Sequence, residues 1–394
     1  YYSNYILKIY GQRITFFFAV PISVGVGPEP GEIEKSTAML TVEAPTIYDG
    51  VNIANTIIGK KVNFSHAKLI IISKELAERG VEKFINTFNK YREFRPNTYI
   101  GVSKGSAEEF LKETKPILEV NPAKYFELIM ESYKFTGYTL DSKLEDFYRR
   151  MKCTCNEPVA VLLDVNKVES SDDFAALVSN ARLENGKSEK SYKAGEIPVN
   201  FDNKANGMGL AVFKSDKMIG EMNSRETVSF LMVSNMLNRV NYSIPEPSKY
   251  NDPEDRNYVS LRLKRARNTS IKVKMKGEIP YITIKVFLEG DILAVDSDKD
   301  YSKGEELKKL EDFAAHYIKK EIEDLMEKTV NEFKSDICAI GKSLKIKYLT
   351  WDDWLNLRWS EKYEKAEFEV ITNISVRRSG MTLKQFPVVD LKGE

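Results

Sequence analysis

From Phe64 to Gly80 the chain reads F-S-H-A-K-L-I-I-I-S-K-E-L-A-E-R-G, and the architecture follows from this segment. Ala67 to Ile72 is a short apolar run, the pattern of a strand buried on both faces, and such strands sit in sheets covered by helices. Ser73 follows where a helix N-cap is wanted. Leu76, Val81, Phe84, Ile85 and Phe88 then continue as a helical stripe that Gly80 interrupts. A buried strand feeding a capped helix is the unit of α/β architecture.

The same alternation extends to both sides. Ile6 to Ser23 reads as extended, and a Gly/Pro-rich loop, Val24 to Gly31, follows it. Thr37 to Glu43 is a second strand, and Ile47, Val51, Ala54, Ile57 and Ile58 have helical spacing. C-terminal to Gly80, Asn97 to Val102 is extended and Ser106 starts a short helix. Pro122 suits the first turn of another. Asp141 is expected to cap a third helix reaching about Lys152, and Pro158 to Val165 closes the unit as a strand. Residues 1–165 therefore read as an N-terminal α/β domain.

Glu169 to Asn206 is polar and aperiodic, with a brief strand near Leu183. Gly209 to Met222 reads as a hairpin turning at Ser215-Asp216-Lys217, and Arg225 to Leu237 as an apolar helix. Ile244 to Asn257, with Pro245, Pro247 and Pro253, reads as a second linker. A small middle domain over 166–250 is expected from these. Tyr258 to Val295 holds three strand-like runs, and Ser302-x-x-Glu305 is a capping box opening a long helix. Leu307, Leu310, Phe313, Tyr317, Leu325, Val330 and Phe333 mark its buried side. Asp336 to Gly341 is expected to be a structural turn, with Gly341 at positive φ. A helical stretch from Trp351 to Trp359 and a strand from Lys365 to Arg378 complete a C-terminal α+β domain over 251–385. The fold class is accordingly α+β or mixed α/β: three mixed domains, each a sheet with packed helices.

Composition narrows the function. The chain has 394 residues and a net charge of +1, against the basic excess of a bulk nucleic-acid binder. A hydrophobic content of 42% supplies real cores. The most apolar stretch, Ile14 to Gly27, is broken by Pro21 and Ser23 and is too short for a span of about 20 residues. The chain opens at Tyr1 without a leader, so a targeting segment is expected upstream. Three cysteines exclude a small disulfide framework, and Cys153-x-Cys155 is tighter than zinc-knuckle spacing.

The chemical inventory is thin. The sequence has no G-x-S-x-G, H-E-x-x-H, Walker loop or G-x-G-x-x-G. His66 and His316 read as structural and solvated. Asp352 and Asp353, flanked by Trp351, Trp354 and Trp359, suggest a sugar cleft, but adjacent helical residues diverge by about 100° and make no acid/base pair. Catalytic residues, cofactors and metals are therefore not expected. One cluster stands apart: Arg262, Lys264, Arg265, Arg267, Lys272, Lys274 and Lys276 lie within 15 residues. The last three alternate with Ile271, Val273 and Met275, which gives a strand one apolar and one positive face. Such a belt suits an acidic partner or anionic headgroups. No stacking aromatics interleave it, so nucleic acid is not expected.

Several of these segments together resemble one family. Phe64 to Gly80 is similar to its F-x-H…E-x-(apolar)-A-x-x-G element. G-L-A-V-F-K-S-D-K-M-I-G, Gly209 to Gly220, is similar to its hairpin. S-D-I-C-A-I-G, Ser335 to Gly341, then the Trp-rich helix and V-R-R-S-G, Val376 to Gly380, resemble its C-terminal end. The family is the C subunit of spore nutrient germinant receptors, the Ger(x)C or GerAC/GerBC-like lipoproteins. The resemblance implies a non-enzymatic lipoprotein of three mixed domains. It implies an anchor, through a lipid-modified cysteine upstream of Tyr1, on the outer face of the spore inner membrane. It also implies membrane subunits A and B as partners in nutrient-triggered germination. The alternatives are an extracytoplasmic solute-binding protein and a cortex glycan hydrolase.

Overall fold

The computed structural model describes residues 4–10, 13–19, 37–58, 62, 64–114, 122–166, 191–199, 201–250, 257–297, 299–301 and 304–378. They form two compact units. Tyr1–Tyr133, Tyr138–Thr227 and Phe333–Ala339 make the first, and Lys134–Gly137, Val228–Glu332 and Ile340–Glu394 make the second.

The first unit is built on strands β1 (Asn4–Tyr10), β2 (Arg13–Ala19), β3 (Thr37–Glu43), β4 (Ala67–Ser73), β5 (Tyr99–Ser103), β6 (Val159–Val165), β7 (Ala205–Lys214) and β8 (Lys217–Met222). Their order is β3-β2-β1-β4-β5-β6-β7-β8. The stretch from β1 through β4 and β5 to β6 is parallel, and both flanks are antiparallel. The helices are α1 (Ile47–Ile58), α2 (Lys74–Arg79), α3 (Glu82–Lys90), α4 (Ala107–Lys112), α5 (Pro122–Glu131) and α6 (Leu144–Lys152). Ile70, Ile72, Ile100 and Val102 are buried in one core with Leu76, Ile85 and Phe88 of the helices, as the segment from Phe64 to Gly80 requires. Ser73 Oγ accepts the Leu76 N–H at 3.4 Å, the expected cap.

Two local readings are corrected here. The stretch from Ile6 is not one strand but the hairpin β1–β2, with Tyr10 opposite Arg13. Asp141 does not cap α6. The helix starts at Leu144, and its first N–H groups are taken by main chain, Leu144 N to Thr98 O at 2.9 Å and Glu145 N to Pro96 O at 3.1 Å. The neighbouring loop satisfies donors that a side chain would otherwise have to reach.

The second unit holds β9 (Arg239–Pro245), β10 (Tyr258–Lys276), β11 (Ile279–Val295) and β12 (Glu367–Arg378), in order β12-β11-β10-β9. Helix α7 (Ser224–Val233) precedes it in the chain, and α8 (Gly304–Asn331), α9 (Ile340–Lys345), α10 (Trp351–Asn356) and α11 (Trp359–Tyr363) follow β11. The three runs expected between Tyr258 and Val295 are two long strands. Bulges between Arg265 and Ser270 absorb the polar residues that read as a break. Along β11 every second residue from Pro280 to Ile292 is buried, the period of a sheet with one covered face. Helix α8 buries Leu310, Ala314, Ile318, Ile322, Leu325, Met326, Thr329 and Val330. Of the residues expected on that side, Leu307, Phe313 and Tyr317 are only half-buried. Thr372 Oγ1 donates to Ala315 O at 2.5 Å, and Val376 N donates to Glu311 Oε1 at 2.7 Å, so α8 also serves β12.

No middle sheet is present among the described residues of 166–250: β7 and β8 extend the first sheet and β9 edges the second. The loop 24–31, the strand near Leu183, Ser302 of the capping box and residues 251–256 of the second linker lie outside the described residues. Gly341 sits inside α9, and the positive φ angles of that region belong to Lys334 and Ala339, at +49° and +60°. Among the described residues no helix is long and apolar enough to cross a membrane.

Three sequence elements meet in the first unit. The β7–β8 turn, with Ser215 at φ +56°, presses against the end of α2. Asp216 O accepts the Val81 N–H at 2.9 Å, and its Oδ2 accepts the Glu82 N–H at 3.3 Å. Asp216 thus does for α3 what its own N-cap, Val81, cannot. Gly80 has φ +128°, and a Cβ there would lie 2.6 Å from Asp216 Oδ2. On β8, a Cβ at Gly220 would lie 2.5 Å from Phe333 Cε1. Beyond that ring, Ser335 Oγ donates to Phe213 O at 2.8 Å, and Glu157 N donates to Asp336 O at 2.9 Å. Arg150 is buried, pairs with Asp146 at 2.6 Å, and donates to Ile337 O at 3.1 Å. Residues from Gly80, from the hairpin and from the segment after α8 therefore lock one another.

Two predictions follow from this junction. Gly80→Ala should cost about 1–3 kcal/mol through backbone strain and contact with the carboxylate. Asp216→Ala should cost about 1 kcal/mol as a lost cap. The double variant should cost less than the sum, because the second change removes the atom that the first one meets; additive melting data would show that the contact is not made.

The second prediction concerns Glu157. Burial, helped by the Asp336 charge, pushes its carboxyl from 4.5 up to about 7, although the Ser215 N–H bond at 2.6 Å and Lys214 oppose the shift. The folded chain then holds a proton, between those two values, that the unfolded chain has released, so stability falls as pH rises through that window. Glu157→Gln should remove this fall. Its melting temperature should match the parent near pH 4.5 and exceed it above pH 7; parallel pH–melting curves would contradict the assignment.

Candidate functional site

The residues with chemical promise lie on separate elements of the fold. His66 ends a short 3-10 turn before β4, in the first unit, and His316 is exposed on α8, in the second. Asp352 and Asp353 are exposed in the first turn of α10. Asp353 is occupied by the cap, its N–H on Thr350 Oγ1 at 3.1 Å and its Oδ2 accepting the Thr350 hydroxyl at 2.7 Å. Trp354 and Trp359 are buried, 6.3 Å apart between centroids, and continue to Tyr363 at 5.7 Å. They are core rather than cleft. Only Trp351 of the three is exposed. Among the described residues no group of three or more His, Cys, Asp or Glu could hold a metal.

The sequence reading left the cysteine pairing open. Cys153 and Cys155 form a disulfide directly after α6, with Cα atoms 5.2 Å apart, and Cys338 is a buried thiol. The signal was the C-x-C pair itself, whose single intervening residue argues against zinc and leaves the two sulfurs within bonding reach.

The basic cluster does form one surface. All seven residues, Arg262, Lys264, Arg265, Arg267, Lys272, Lys274 and Lys276, lie on β10 and are exposed, while Leu261, Leu263, Thr269 and Val273 of the same strand are buried. The two single-residue bulges together restore the alternation, so both halves of the strand present charge outward.

The upper half is partly neutralised. Lys264 bonds Glu289 at 2.6 Å, and Arg377 reaches the same carboxylate at 3.0 Å. The Lys264 hydrogen bond and the two cationic charges hold Glu289 below the usual carboxylate range, against a smaller opposing effect of burial. Arg265 donates to Asn235 O. The lower half meets rings and neutral groups across the strand. Arg267 lies 3.5 Å over Phe287, and Lys276 lies 3.9 Å over Tyr281. Lys272 stands opposite Thr283 and Lys274 opposite Tyr281.

The acids level with this lower half are one strand further on. Glu367 and Glu369 of β12 pair in register with Tyr281 and Thr283. Two strand spacings put them about 10 Å from β10, near the Debye length in physiological salt. Strand β9 covers β10 only from Tyr258 to Lys264. The lower lysines therefore stand beyond the reach of β9, and their field points outward, away from the acidic strand.

Two family models match the chain: "Spore germination protein N-terminal domain" over residues 5–165 and "Spore germination B3/ GerAC like, C-terminal" over residues 208–380. The chain belongs to the GerAC-like spore germination family. The germination protein KC of Bacillus subtilis (strain 168) is 23% identical over 389 residues, 96% of this chain and 86% of that protein. GerQC of Bacillus cereus is 20% identical over 315 residues, 80% of this chain and 75% of that protein. The crystal structure of the GerBC protein superposes with a TM-score of 0.51 at 16% identity, covering 95% of this chain and 97% of that one, which shows the shared fold. Family membership ties this GerAC-like chain to spore germination. The C-terminal family match begins within β7, so the family's own division of the chain runs through the eight-stranded sheet.

The tryptophans separate packing from chemistry. Trp354→Ala should cost about 3–5 kcal/mol as a buried aromatic truncation, and Trp351→Ala about 0.5 kcal/mol or less. Equal losses in chemical denaturation would mean that the cluster is not organised around Trp354.

Proposed function

We propose that this chain is the non-enzymatic C subunit of a spore germinant receptor. On this reading it is held by a lipid anchor on the outer face of the spore inner membrane and works with membrane subunits A and B in nutrient-triggered germination. The lower half of the basic strand is its docking face toward an acidic surface of that complex. The observation that carries the reading is where the family's sequence elements are used. Gly80, Asp216, Gly220 and Ser335 join three segments of the fold through contacts with one another's neighbourhoods. A family whose recognisable residues build a scaffold is suited to assembly. Against that scaffold the belt is the concentrated charge on a chain of net charge +1. The Cys153–Cys155 disulfide supports the extracytoplasmic side, where such bonds persist.

The test is charge reversal at three exposed positions, Lys272→Glu, Lys274→Glu and Lys276→Glu together. The side chains already lie in solvent, so the purified variant should melt close to the parent. Spores carrying it should accumulate the chain yet germinate severalfold more slowly on nutrient, and capture of the A and B subunits should fall and become insensitive to salt. Normal germination by spores that accumulate the variant would reduce the belt to a solvated strand face.

A further inference from the structure

Between α9 and α10 the second unit carries an apolar tip. Ile346 is 84% exposed, Leu349 100%, Trp351 49% and Leu355 42%. The tip is held from within. Lys347 N donates to Leu344 O and Tyr348 N to Lys345 O, both at 3.0 Å. The Tyr348 ring meets the buried Trp354 at 5.8 Å, and Thr350 caps α10. An ordered turn thus spends its inner side chains on packing and aims an isoleucine and a leucine into water.

Lysines surround those side chains. Lys345 lies 4.2 Å over the Trp351 ring. Lys347 Nζ donates to Val273 O at 3.0 Å, fastening the tip to β10 between the exposed Lys272 and Lys274. The apolar tip is thus fastened to the lower half of β10, with Lys345 and Lys347 beside its exposed side chains. Asp352 and Asp353 bound it on α10, where two carboxylates limit how far the helix can leave water.

The geometry points to this tip being a contact with an anionic lipid bilayer: Ile346, Leu349 and Trp351 enter the headgroup–acyl boundary, and Lys345 and Lys347 extend to the phosphates. Two observations favour lipid over a protein groove. Leu349 is fully exposed, so the apolar group projects past its neighbours instead of forming the flat core of an interface. Two lysines, Lys345 and Lys347, flank it on long apolar stems. Aliphatic and tryptophan side chains beside long lysines that can extend their ammonium groups outward match the chemistry of an interfacial membrane contact. The inference stands on this tip and does not require the germination role.

The chain supplies its own reporter, since it has three tryptophans and Trp354 and Trp359 are buried. The full chain is mixed with vesicles of equal phosphatidylglycerol and phosphatidylcholine, or of phosphatidylcholine alone. It should float with the anionic vesicles at least tenfold better. Its tryptophan emission should shift to the blue and be quenched by brominated acyl chains, and Trp351→Phe should abolish both changes. Ile346→Glu with Leu349→Glu should keep the circular dichroism spectrum and melting curve and lose flotation at least tenfold. Lys345→Glu with Lys347→Glu should lose flotation similarly, and 0.5 M salt should weaken the parent. The inference is overturned if the parent does not float with anionic vesicles, if the tip variant floats as well as the parent, or if quenching survives Trp351→Phe. Spores carrying the tip variant read the other question. Normal germination by a variant that has lost vesicle binding would count against the receptor role and leave the lipid contact standing.

Discussion

The first unit depends on a place where no side chain fits. At Gly80 the backbone takes φ +128° and leaves room for Asp216 of the β7–β8 turn to reach the Val81 and Glu82 amides. Those bonds start α3, and α3 supplies Ile85 and Phe88 to the core over the parallel strands. The same hairpin accepts Phe333 against Gly220 and Ser335 against Phe213, which brings the chain back to the first unit after the long helix. A capping carboxylate, two close approaches and a few main-chain bonds thus connect segments more than 200 residues apart. Each is small, but they share partners, so loss of one exposes the others.

The second unit follows a different constraint. Its long hairpin β10–β11 buries alternate side chains on one face and leaves the other open. Period-2 patterning then sends most polar side chains of β10 to the open face, and seven of those exposed are basic. Bulges keep that assignment in register over 19 residues. Strand order does the rest: the acids of β12 are at one edge and the lower lysines at the other, so the sheet carries a lateral charge gradient although the chain is near neutral. Fold and field come from the same alternation.

What the sequence determined by itself was local and periodic. The buried strand at Ala67, the Ser73 cap, the hairpin turning at Ser215-Asp216, the long helix and the basic face of β10 all follow from side-chain spacing within one element, and all are present. Tertiary structure decided whatever needed a partner far along the chain. Asp141 was a sound cap candidate, but main-chain carbonyls of 96–98 occupied the donors first. Gly341 looked like a positive-φ position and is helical, because Lys334 and Ala339 take the turn. β7 and β8 looked like part of a separate middle domain and joined the first sheet, since a hairpin's pattern does not say which edge it will pair with. The seven charges could be read from the sequence, but their direction could not. It depends on which strand lies beside β10, how far β9 runs and where the acids of β12 fall, and those are set by pairing across the sheet rather than by anything within 15 residues of the lysines.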